Sequence, residues 1–158
     1  MTVIDIHTHA YTRKYLEILR EQGGDYGLKI RPDGFEEIFK GETPVAFPQP
    51  GHFDYDIRIR QMDDTAIDMS IVSLTCPNVY WGGKNTSIMA AQESNNAMAE
   101  AQTAYPDRLR WFTSLPWEYP DAAIEELERS CAIGAVGVMV LANVAGRSLT
   151  DSFFAPIW

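Results

Sequence analysis

The sequence predicts an α/β protein assembled from parallel βαβ units. Four short apolar segments, most of them rich in β-branched residues, recur along the 158 residues, and segments of helical periodicity separate each from the next. No GxGxxG or GxxxxGK[ST] follows the first strand, which takes support from the dinucleotide- and nucleoside-triphosphate-binding forms of such a sheet. An open doubly wound sheet and a (β/α) barrel both satisfy the pattern.

Val3-Ile4-Asp5-Ile6-His7 alternates apolar with polar residues and reads as the first strand. Tyr11, Tyr15, Ile18 and Leu19 then recur at helical spacing until Gly23-Gly24. From about 23 to 54 periodicity fails and prolines accumulate. Only Phe35, Ile38 and Phe39 hint at a helical turn, so this span reads as a long loop excursion of the kind that forms lids. Asp56 as N-cap opens a helix with Ile59, Met62 and Ala66 on one face. Asp68 to Thr75 is a second strand, closed by Cys76-Pro77. Thr86 to Tyr105 is helical, with Ile88, Ala91, Asn95 and Met98 on one side, and Leu109 to Ser114 is a third strand. Pro120 opens a helix striped by Ile124, Leu127 and Cys131, and Gly134 stops it. The apolar run Ala135 to Leu141 predicts a fourth strand buried on both faces. A loop follows to Thr150, and Asp151 caps a helix bearing Phe153, Phe154 and Trp158, aromatics that need a covering surface. Residues 1–158 therefore read as a single partial domain of about four βα units, the front half of something longer.

Thirteen basic against 22 acidic residues leave a net charge of −9, which supplies no phosphate neutralisation and argues against nucleic acid as a partner. No run approaches the ~18 apolar residues of a membrane span, and the N-terminus lacks a signal-peptide core, so the expected location is the cytoplasm. Cys76 and Cys131 lie in apolar stretches without CxxC spacing and read as buried thiols in a reducing compartment.

Two of the three histidines, His7 and His9, stand one residue apart at the end of the first strand. Alternate strand residues share a face, so both imidazoles can reach one divalent ion. Sites on parallel α/β scaffolds gather at that end of the strands. Hydrogen-bonded surface or core histidines give the same spacing.

The segment DIHTHA resembles the amidohydrolase superfamily, in particular the decarboxylase branch typified by aminocarboxymuconate semialdehyde decarboxylase, with γ-resorcylate and 5-carboxyvanillate decarboxylases as relatives. The resemblance continues through Asp56 to Asp63, Tyr105-Pro106-Asp107-Arg108-Leu109, Ser114-Leu115-Pro116, Gly134 to Val138, Gly146-Arg147-Ser148-Leu149 and Phe153 to Trp158. It implies the N-terminal part of a TIM-like (β/α)8 metal-dependent hydrolase barrel, with His7 and His9 as metal ligands at its mouth. A whole barrel takes ~250 residues. The later histidines and the aspartate that complete the site in the family have no counterpart here, which places the catalytic residues beyond Trp158; His52, in the excursion, receives no ligand role.

The implied function is divalent-metal-dependent, non-oxidative decarboxylation of an aromatic or muconate-like carboxylic acid. Zinc is the first expectation for the metal and manganese the second, with no organic cofactor and with a homo-oligomer as the assembly. A metal-dependent hydrolase or hydratase on the same scaffold is one alternative. A non-catalytic half-barrel that binds a partner chain through its strand edge is another. Thr75, Asn78, Tyr80 and Trp81 follow the second strand and are candidate substrate contacts, against simple packing of the loop; Arg147 is a candidate anion contact. The arginine that clamps a substrate carboxylate in the semialdehyde decarboxylases is missing from Pro44 to Phe53, which argues against that substrate. Arg58 and Arg60, beside Asp56 and Asp63, read as a solvated, ion-paired helix surface.

Overall fold

The computed structural model describes residues 1–158. In chain order the elements are β1 (Ile4–His9), α1 (Arg13–Gln22), β2 (Tyr26–Ile30), β3 (Glu36–Lys40), β4 (Thr43–Ala46), α2 (Tyr55–Asp64), β5 (Met69–Ser73), α3 (Lys84–Ala104), β6 (Leu109–Thr113), α4 (Pro120–Ala132), β7 (Gly137–Val138), β8 (Asn143–Val144) and β9 (Arg147–Ser148), with short 3-10 turns at Pro50–His52 and Ser152–Ile157. Strands β1, β5, β6 and β7 pair in that order, and every pairing is parallel. This is the predicted βαβ arrangement, the start of a barrel wall.

One face of this sheet is sealed by helices. Val72, Leu109 and Trp111 meet Met62 of α2 and Met98 and Ala101 of α3, and Leu74 continues the core towards α1 through Leu16, Leu19 and Ala91. A third cluster gathers Leu115, Trp117, Ala123, Val144, Phe154 and Ile157 at the far end. Small residues on α3 permit close approach and leave room for one polar hub. Asn95 Nδ2 donates to the Ser114 carbonyl (3.0 Å) and to Glu126 Oε1 (2.6 Å), while Asn95 Oδ1 accepts from the Ser114 N–H (2.9 Å). Arg129 grips both oxygens of the same Glu126 carboxylate, so this buried charge is paired and hydrogen-bonded.

Several expectations are corrected. The 23–54 excursion contains a three-stranded antiparallel sheet, β2-β3-β4, and the supposed helical turn at Phe35, Ile38 and Phe39 is largely strand β3. Ile38 is fully buried against α1, which supplies the burial that a short, glycine-flanked strand needs. Asp54 caps α2, accepting from the Ile57 N–H at 3.1 Å; Asp56 lies in the first turn, where a carboxylate complements the helix dipole. Ala66 lies past the helix at φ 56° and is exposed. The apolar run at 135–141 yields only Gly137–Val138 as strand, at an edge paired with β6 alone, and Val136 is exposed. Cys131 is exposed and Cys76 half-buried, because α4 turns Ala122, Ala123, Glu126 and Ser130 inward. Asp151 does cap the last turn through the Phe153 N–H, and Phe154 is buried against Trp117 while Phe153 and Trp158 stay exposed. No helix is long and apolar enough to cross a membrane.

Candidate metal centre

Strand β1 ends at His9 and β5 ends at Ser73, and the two residues are paired. The pairing passes through a bulge: Asp5 faces Ser70 and Thr8 faces Val72, so three steps along β1 match two along β5. Beyond the bulge the side chains alternate, and Thr8 shares the helix-covered face of Val72 whereas His9 goes with Ser73 on the other.

The His7 and His9 rings lie edge to face with centroids 5.0 Å apart. His9 Nδ1 is 3.2 Å from Ser73 Oγ, a contact that fixes the ring and leaves Nε2 free. Burial, then the neighbouring His7, hold the His9 pKa below its ordinary value, which favours the neutral ring, the form that ligates. The predicted pair is thus brought together at the C-terminal end of β1. No group of three His, Cys, Asp or Glu converges anywhere in the chain, so the pair stands as two donors.

Arg58 belongs to this site from behind, contrary to its reading as a solvated residue. It is only 6% exposed, because Arg58 and Met62, four residues apart, form the inward face of α2. Its guanidinium donates to Thr8 Oγ1 at 2.5 Å and to the His9 carbonyl. Arg60 remains exposed. His52 stacks near Tyr11, with ring centroids 5.8 Å apart, and its Nδ1 accepts from the Gln49 N–H at 3.1 Å. The spacing of Arg58 from Met62 was the one sequence signal for this clamp; Ser73 and Thr8 had none.

The other candidates are dispersed. Asn78 is fully buried: its side chain bonds the Leu74 carbonyl and the Val79 N–H, and its own carbonyl accepts from Tyr15 Oη and Trp81 Nε1. Asn78 and Trp81 therefore build the loop. Tyr80 packs between two core clusters, and Thr75 is half-buried just after Ser73. Arg147 is exposed, lies over the Phe153 ring and approaches Asp151 to 3.5 Å, and the structure gives it no contact with the histidine pair.

The fold is that of part of a barrel of the amidohydrolase type, as its likeness to solved structures shows. An amidohydrolase II structure matches 99% of the chain and 45% of its own length at 26% identity, with a TM-score of 0.74. The IDCase of Metarhizium anisopliae matches 99% of the chain and 46% of its own, at 22% identity and a TM-score of 0.84. A manganese-bound 5-carboxyvanillate decarboxylase from Novosphingobium aromaticivorans matches with a TM-score of 0.77 at 24% identity, over 99% of the chain and 46% of its own. No family model matches.

By sequence, the homologues of the chain are decarboxylases. The γ-resorcylate decarboxylase of Rhodococcus jostii is 39% identical over 87 residues, 54% of the chain and 26% of that enzyme. The 2-amino-3-carboxymuconate-6-semialdehyde decarboxylase of Dictyostelium discoideum is 27% identical over 172 residues, 98% of the chain and 44% of that enzyme. The chain thus spans less than half the length of these relatives.

Proposed function

We propose that the chain carries the N-terminal part of the active site of a divalent-metal-dependent, non-oxidative decarboxylase acting on an aromatic or muconate-like carboxylic acid. The observation that carries this reading is the His7–His9 pair at the C-terminal end of β1, in a chain whose homologues are decarboxylases. Two adjacent imidazoles fit two positions of a four- or five-coordinate zinc or manganese ion. Such an ion supplies a Lewis acid for the charge that develops as the carboxylate departs. His7 and His9 would hold it, with Ser73 setting the His9 ring and Arg58 bonding the Thr8 hydroxyl and the His9 carbonyl. Thr75, next to the end of β5, is the loop residue best placed to meet a substrate. The same reading makes the protein a cytoplasmic homo-oligomer without an organic cofactor.

Calorimetry with manganese tests the ligands: one equivalent binds the chain, and His7→Ala or His9→Ala weakens binding about tenfold or more. Unchanged affinity in both variants overturns the assignment. Carbon dioxide release from 2,6-dihydroxybenzoate or 5-carboxyvanillate, assayed on the longest polypeptide the gene encodes, tests the reaction. Hydrolysis or hydration products without carbon dioxide would refute decarboxylation.

A further inference from the structure

We propose that the cavity behind the end of β1 binds a compact oxyanion, at a site separate from the imidazole face. The cavity measures about 450 Å³ and is lined by Thr8, Gln49, His52, Arg58 and Gln61, with the Pro50–Gly51 backbone and Ile57. Thr8 pairs with Val72 on the helix-covered side of the sheet, so the cavity and the His9 ring lie on opposite faces of one strand.

Its charge is unbalanced. Arg58 is more than nine-tenths buried, takes part in no salt bridge, and its Nε has no acceptor. A buried cation without a paired counter-ion is costly: the Asp5 carboxylate acts on Arg58 without forming a salt bridge to it, and the cavity lining contains no carboxylate.

Two further lining groups, on His52 and Thr8, present hydrogens. His52 Nδ1 accepts from the Gln49 N–H, which places the proton of the neutral ring on Nε2. Thr8 Oγ1 accepts from Arg58, so its own hydrogen is free to donate. The Gln61 side chain makes no hydrogen bond within the chain and sets its Oε1 against Gly51 at the rim. A guanidinium, an imidazole N–H and a hydroxyl around one cavity fit the acceptor oxygens of a carboxylate or a tetrahedral oxyanion. Such a ligand would tie α2, the Pro50–His52 turn and the end of β1 together.

The test is calorimetry and thermal denaturation of the chain with inorganic phosphate and, separately, with acetate, at constant ionic strength. Wild type should bind at least one of them and melt higher in its presence. Tighter phosphate binding identifies a tetrahedral anion as the ligand, and tighter acetate binding identifies a carboxylate. Gln61→Glu keeps the Arg58 clamp and puts a carboxylate into the cavity. It should melt higher than wild type without ligand and bind the anion at least about tenfold more weakly, the factor that ~1.4 kcal/mol supplies. Failure of wild type to bind either anion, or equal affinity in Gln61→Glu, overturns the proposal.

Discussion

The Arg58 guanidinium donates to the main-chain carbonyl of His9, so α2 holds the end of the strand that carries both imidazoles. Replacing it by Met removes this bond and the one to Thr8 and leaves a buried carbonyl without its charged partner. We expect Arg58→Met to lose about 2 kcal/mol of stability in a urea titration. Manganese affinity should fall as well, although no ligand is changed. A variant as stable as wild type would show that the clamp holds nothing.

Asn95 joins three elements, and no other residue type presents both its donor and its acceptor in that shape. Asn95→Leu leaves the Glu126 carboxylate and the Ser114 backbone short of partners, and should cost about 3 kcal/mol. Asn95→Asp should be no better, since it faces one carboxylate with another. Thermal melts of the two variants check the pair.

The His52 pKa is pulled down to about 4 from 6.5, first by burial, then by the charge of Arg58 and of His9. Between those two values the unfolded chain binds more protons than the folded one, so stability rises with pH across that window and is lost as pH falls through it. His9, whose pKa is also lowered, adds to the same slope. His52→Gln should flatten part of it and leave stability above pH 7 nearly unchanged. Denaturation midpoints measured from pH 4 to 8 give the comparison.

The two thiols differ in access. Cys131 is exposed, whereas Cys76 is half-buried and burial pushes its pKa up. A disulfide reagent should therefore label the native chain rapidly at one site. Cys131→Ser should abolish the fast phase and leave the slow one. Two equal fast phases would contradict this placement.

What was legible in the sequence was what repeats. The periodicity of α1, the apolar bodies of β5 and β6 and the one-residue spacing of His7 and His9 carry their own pattern. Strands β2 to β4 escaped because each has only four or five residues, and because Pro44 argues against a strand unless it lies at an edge, as β4 does. Arg58 escaped because a charged residue on a helix reads as solvated until something buries it. Asn78 and Trp81 carried the right chemistry for a ligand, but their hydrogen bonds are spent inside their own loop.

Had the same residues of β1 run on in regular register from the Asp5–Ser70 pair, with no bulge, His9 would stand beside Leu74 instead of Ser73. Leu74 is fully buried, so the ring would press into the packed layer beneath α1 and lose the hydroxyl that orients it. The bulge in one strand thus decides whether the His9 imidazole looks outward to a ligand or inward to the core.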